Sequence, residues 1–142
     1  MPFELVWKPV LRQLELKEYH PDFAGETIAV CVNPSPEMTK RLNDLMEENA
    51  KRFVSASDAR GRTKKQQGDD MRQKVNEYIE WRNQNYLPAL DQWHAEMWSF
   101  GGEFYTAETI QKYRDVDPDF VMWLFAQTDE MIMAHRTGKK KN

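Results

Sequence analysis

The chain has 142 residues, 40% of them hydrophobic and 30% charged, with a formal net charge of −3. That length suffices for one domain with its own core, the composition excludes a disordered polymer, and the small negative charge excludes a global pull toward nucleic acid or an anionic membrane. The only cysteine, Cys31, excludes an intrachain disulfide framework and a zinc site made of several thiolates, so a reducing compartment is expected.

Residues 2–10, PFELVWKPV, hold a short β-prone piece, Phe3 to Trp7, between Pro2 and Pro9. It reads as an added edge strand or as a loose arm. Arg12 to Tyr19 alternate, with Leu14 and Leu16 against Gln13, Glu15 and Lys17, which predicts a strand with one wet face. His20-Pro21-Asp22-Phe23-Ala24-Gly25 carries turn chemistry at both ends. Ile28, Val30 and Val32 then alternate with Thr27, Ala29, Cys31 and Asn33, so the two runs form an antiparallel hairpin.

Asn33-Pro34-Ser35-Pro36 stops the second strand, because proline cannot donate to a ladder. Ser35 as N-cap and Pro36 at the first helical position open a helix over about 36–54, with Met38, Leu42, Leu45, Met46 and Phe53 on its apolar face. Residues 55–69 lack apolar periodicity and are read as a flexible loop that is locally basic. Met71, Val75, Tyr78, Ile79, Tyr86, Leu90, Trp93 and Met97 keep helical spacing, capped by Asp69 or Asp70. Pro88 predicts a kink or break that divides this helix into 69–87 and 88–99. Ser99-Phe100-Gly101-Gly102 ends it, and Phe104 and Tyr105 read as briefly extended chain.

Thr106 caps a short helix to about Tyr113. Asp117 and Pro118 start the last helix, whose apolar face includes Phe120, Leu124 and Met131 and which ends near Arg136 and Gly138. Residues 137–142 read as a disordered charged tail. The fold class expected is therefore α+β and mainly helical: an N-terminal antiparallel β-hairpin followed by four to five α-helices, one domain over 1–136.

Chemistry is sparse. His20, His94 and His135 fall in three different elements, none near Cys31 in sequence. His94 and Glu96 do not complete a His-Glu-x-x-His zinc motif, and Gly101-Gly102 opens no phosphate loop. Asp115-Val116-Asp117-Pro118-Asp119 lacks the glycine and terminal glutamate of a calcium loop and reads as a capped helix start. No catalytic, metal or cofactor site is expected, and the chain reads as a binding protein rather than an enzyme. The segment lacks a signal-peptide pattern at its start, and no apolar run reaches the roughly 20 residues that span a bilayer, so a cytosolic protein without membrane contact is expected. Aromatic residues crowd the chain after position 80, serving either a compact core or a partner-binding face.

Two stretches, LELKEYHPDFAGETIAVCVNPSPEMTKRL (14–42) and WSFGGEFYTAETIQKYRDVDPDFVMWLFAQTDEMI (98–132), resemble the tail assembly chaperones of long-tailed bacteriophages and prophages. The first is similar to that family's hairpin with an asparagine-proline corner before a helix. The second is similar to its pattern of tryptophan, glycine turn, capped short helix and acid-proline start. The helical piece around Pro88 departs from the family, which has a shorter connection there. The resemblance implies a non-catalytic factor that binds the tape measure protein, helps to recruit tail tube subunits, works in the host cytoplasm and is not kept in the mature virion. Such binding needs an exposed apolar groove or helix face, for which Trp81, Trp93, Trp98, Trp123 and Phe125 are the candidate positions. Self-association through a strand edge stays open. The competing reading is a small nucleic-acid-binding or regulatory protein that uses the basic segment 51–65, although no aromatic residues interleave its charges.

Overall fold

Strand β1 (Leu11–Glu15) pairs antiparallel with β2 (Thr27–Cys31), Leu11 opposite Cys31 and Leu14 opposite Ile28. The computed structural model describes residues 2–57, 64–99 and 105–141. Leu14, Ile28, Val30 and Val32 are buried, as a half-wet strand pair requires. Beyond Glu15 the predicted first strand gives way to two 3-10 turns, Leu16–Glu18 and Pro21–Phe23. Gly25 closes the connection at φ +90°, a backbone geometry that L side chains resist.

Residues 2–10 form no strand. They are tied down chiefly at Asn33, with one further bond from Val32 N–H to Val10 O. The Asn33 amide Nδ2 donates to Lys8 O at 2.7 Å, its Oδ1 accepts from Val10 N–H at 2.6 Å, and its backbone carbonyl accepts from Trp7 Nε1 at 2.8 Å. Cys31 lies on the strand face opposite Val30 and Val32 yet is fully buried, its Sγ 3.4 Å from the same Asn33 Oδ1. Burial pushes the Cys31 thiol up from its ordinary pKa.

Five α-helices follow among the described residues: α1 (Pro36–Ser57), α2 (Lys64–Trp81), α3 (Leu87–Trp98), α4 (Ala107–Val116) and α5 (Pro118–Lys141). The expected α+β, mainly helical architecture is what the chain forms. Ser35 Oγ accepts from Met38 N–H, and Thr106 Oγ1 accepts from Thr109 N–H, so both predicted caps act as such.

Three stretches differ from the sequence reading. Residues 55–57 continue α1 and 64–69 begin α2, and the rest of the predicted loop, 58–63, lies outside the described residues. Lys and Gln are good helix formers, and a solvated helix needs no apolar stripe. The predicted tail is likewise helical: α5 passes through Gly138 to Lys141, and Thr137 Oγ1 donates back to Met133 O at 2.9 Å. Cationic residues suit this negative end of the helix dipole. Pro88 causes no break. The turn before it, Arg82–Tyr86, widens to a π-helix, and the helical path from Lys64 to Trp98 is continuous. Proline at 88 supplies no N–H and crowds the carbonyl one turn back, and a wider turn relieves both. Asp69 and Asp70 sit inside α2 rather than at its cap. Residues 100–104 lie outside the described ones.

Where the sequence reading gives one domain, the chain divides into two compact units, Met1–Thr39 with Asp91–Asn142, and Lys40–Leu90. The first holds nearly all of the core: the inward residues of β2, Trp93, Ala95, Met97 and Trp98 of α3, Ile110 of α4, and Phe120, Val121, Leu124 and Ile132 of α5. Several of its polar groups pair with one another. Trp98 Nε1 donates to Thr128 Oγ1 at 3.0 Å, and that hydroxyl donates to Leu124 O at 2.8 Å, all buried. Trp93 Nε1 donates to Met38 O at 2.8 Å. Arg114 grips Asp91 with two bonds of 2.8 Å, a bidentate pair joining α4 to α3. In the second unit, Ala56 is the one fully buried apolar residue among those described.

Two outcomes follow. Thr128→Val removes the acceptor of a buried indole N–H and should cost about 1–3 kcal/mol in urea unfolding. Amide exchange should be faster by orders of magnitude in Lys40–Leu90 than in β2 and α5, because a segment with one core residue opens locally at lower free energy; equal protection would contradict the two-unit division.

Candidate functional site

The five candidate aromatic positions fall into three settings. Trp93 and Trp98 are 3% and 1% exposed, so the expectation that they touch a partner does not fit the folded chain. Helix α3 turns both toward the core, where each indole N–H has an internal acceptor. Phe125 is half-buried and stacks on the buried His94 at 3.9 Å between ring centres, and His94 also meets Trp93 and Trp98. This trio is therefore a packing cluster with one edge, Phe125, at the surface.

Trp123 belongs to a second cluster in the same unit. Its ring lies 5.3 Å from Tyr19 and 6.2 Å from Phe120, and Phe23 lies 5.5 Å from Phe120. Asp117 organises this patch. Its Oδ1 accepts from Phe120 N–H at the start of α5, and its Oδ2 accepts from Tyr19 O–H at 2.8 Å. The sequence reading identifies Asp117 as a cap but misses Tyr19, which is 98 positions away. The hydrogen bond to the carboxylate, more than burial, raises the Tyr19 pKa above its ordinary 10.0.

Trp81 sits in the second unit, half-buried, at the centre of an aromatic stack. It stacks on Tyr78 at 6.3 Å and Tyr86 at 6.4 Å. In an α-helix, residues five apart diverge around the axis. The π turn at Arg82–Tyr86 brings positions 81 and 86 to one face, so the answer of the backbone to Pro88 also builds this stack. The Arg52 guanidinium lies 4.3 Å over the Trp81 ring while Nη2 holds Glu48 at 3.1 Å. Tyr78 donates from its hydroxyl to Asn49 Oδ1 at 2.7 Å and meets Phe53 edge-on at 5.7 Å. Arg52, Ser55, Ala56, Lys74, Glu77, Tyr78 and Trp81 line a cleft of about 230 Å³ between α1 and α2.

Beside that cleft, α1 leaves an apolar stripe open. Met46, Ala50, Phe53 and Val54 follow i, i+4, i+7, i+8 spacing, and Met46, Phe53 and Val54 are 52%, 55% and 65% exposed. The sequence reading places Met46 and Phe53 on the core face. The face actually turned inward runs through Leu42, Leu45, Asn49 and Ala56, roughly a quarter turn away. Ile79 on α2 is 46% exposed. The signal that could have exposed this site is the polar Asn49 in the middle of the inward face, which shifts the apolar arc.

Other residues weighed for chemistry do not converge. His20 is exposed and pairs with Asp22, His94 is in the core, and Cys31 is enclosed by Asn33. Among the described residues no group of three His, Cys, Asp or Glu side chains could hold a metal ion, and no helix is long and apolar enough to cross a membrane. Within the basic segment 51–65, Lys51 is paired with Glu47 at 3.1 Å and Arg52 with Glu48; residues 58–63 lie outside the described ones. Comparison of the chain with protein-family models, curated proteins and solved structures gives no match in any of the three.

The Tyr19–Asp117 bond sets an alkaline limit. With the folded pKa raised above the unfolded one, the native state holds this proton more tightly. The stabilisation is complete below pH 10 and is lost as pH rises through the folded value. Absorbance titration of the tyrosines should show a late-titrating group that moves to lower pH in Asp117→Asn, and Asp117→Ala should also lose a helix cap worth about 1 kcal/mol. A Tyr19→Phe variant that leaves the late group in place would refute the assignment.

Proposed function

We propose that this chain is a non-catalytic assembly factor that holds an amphipathic helical segment of a partner, and that it acts as a tail assembly chaperone of a long-tailed bacteriophage or prophage. In this reading the partner is the tape measure protein, the product is a correctly started tail tube, and the work is done in the host cytoplasm before the virion matures. The observation that carries it is the exposed stripe Met46, Phe53 and Val54 on α1 beside the Trp81–Tyr78 cleft. An apolar helix face next to an aromatic cleft, rimmed by Lys51, Arg52, Lys74 and Glu77, suits helix-in-groove recognition, where spaced apolar anchors enter and charges fix the register. The tape measure protein is proposed as the partner on the resemblance of residues 14–42 and 98–132 to that family.

Co-purification with a tape measure fragment tests it. The chain should retain the fragment in solution, and Phe53→Asp or Trp81→Ala should weaken capture by about tenfold or more, as loss of a central anchor does. No retention by the unaltered chain would defeat the proposal. Binding to DNA and RNA at two salt concentrations addresses the competing reading: tight binding that falls steeply with salt would favour a nucleic-acid protein instead.

A further inference from the structure

Among the described residues neither outer edge of the two-stranded hairpin has a strand partner, Leu11 O accepting only from the Arg12 guanidinium, and the segment before the hairpin is an arm with a β-prone sequence. Val32 N–H donates to Val10 O at 2.9 Å, and Leu16 N–H donates to Glu26 O at 3.0 Å. With Leu11 opposite Cys31, the even-numbered residues of β1 therefore turn their backbone groups toward β2. Leu11, Gln13 and Glu15 turn theirs outward, along an edge that no described backbone group occupies. Two strands fall short of what a sheet normally needs for stability, and an open edge invites a third.

The arm fits that vacancy chemically. Phe3 and Leu5 are each 86% exposed and Val6 is 60% exposed, an unusual run of apolar residues spent on solvent. Pro2 and Pro9 bound the segment, so it has donors to offer only between them. Because Asn33 holds Lys8 and Val10, the arm's root is fixed while Phe3 to Val6 stay open.

We infer that the arm of one copy adds as an antiparallel strand to the outer edge of β1 in a second copy, and the reverse, giving a two-fold dimer. In the matching register Leu5 faces Leu11, Phe3 faces Gln13 and Glu4 faces Arg12, all of them across the interface. Leu11 and Gln13 are the residues whose N–H and C=O point outward, so the hydrogen-bonding parity agrees with the side-chain pairing. Glu4 opposite Arg12 is the charge complement, and both are exposed in the single chain. Trp7 meets Pro9, which donates nothing, so the bonded stretches are Phe3–Leu5 against Leu11–Gln13, repeated by symmetry. Lys8 falls on the axis and meets its own copy, a like-charge contact that opposes the dimer. This interface is separate from the α1 stripe and does not depend on the chaperone reading.

Sedimentation equilibrium of the full chain at high micromolar concentration tests it. The unaltered chain should be a dimer. Leu5→Pro removes a donor at a bonded position and should give a monomer whose thermal unfolding matches that of the parent at concentrations low enough for both to be monomeric, because Leu5 is 86% exposed in the single chain. Glu4→Arg and Arg12→Glu should each raise the dimer dissociation constant by roughly fivefold, the pair occurring twice, and the double exchange should restore it. A monomeric parent chain, a dimer indifferent to Leu5→Pro, or a double exchange no better than the single changes would each overturn the inference.

Discussion

A hairpin of two five-residue strands cannot stand alone in water, and the larger unit is arranged to meet that constraint. Leu14, Ile28, Val30 and Val32 present an apolar face that needs cover, and the buried residues that share its unit come from α3, α4 and α5, some sixty or more positions later. The core closes only when both ends of the chain meet. Its polar fixings are of the same long-range kind: Tyr19 to Asp117, Trp93 to Met38, Trp98 to Thr128. Such contacts carry a large loop-closure entropy, so the apolar burial has to come with them in one step. Asn33 contributes locally, since one side chain accepts from Val10, donates to Lys8 and shields Cys31 where the second strand ends.

Lys40–Leu90 obeys a different rule. It has almost no buried apolar residue, so its order rests on helix propensity, i,i+4 ion pairs such as Lys40–Asp44 and Lys51–Glu47, and the aromatic contacts around Trp81. Exposed ion pairs of that kind are each worth a few tenths of a kcal/mol, about 0.3–0.5. Aromatic rings and a cation over an indole add more per contact, which makes the Arg52–Trp81–Tyr78 group the main stabilising cluster of the unit, and the same side chains line its cleft. Stability and the proposed recognition therefore draw on the same few side chains there.

What the sequence discloses follows from the range of each signal. The hairpin, the proline corner and the caps at Ser35, Thr106 and Asp117 rest on neighbours within four positions, and all are legible. The ends of elements were harder: absence of apolar periodicity at 55–57 and 64–69 was compatible with a solvated helix, and Gly138 was no barrier to α5. Side-chain placement was least legible. Trp93 and Trp98 look the same in sequence as Trp81, and only the fold shows that two serve the core while one lies at a cleft. Aromatic abundance marks both cores and interfaces, so composition alone could not divide them.

Pro88 shows how a local defect becomes a surface feature. A regular α-helix through position 88 would leave one carbonyl without its donor and in steric conflict with the ring. Widening one turn to a π-helix carries the helical backbone past the proline and shifts the phase of the side chains across Arg82–Tyr86. One consequence is the Trp81–Tyr86 stack, which regular α-helical spacing would not form. The same proline reads at first as a helix breaker and as a departure from the family pattern. In the folded chain the wider turn adds Tyr86 to the group that Trp81 already forms with Tyr78 and Arg52, so the departure from regular helix extends the aromatic platform that the proposed binding needs.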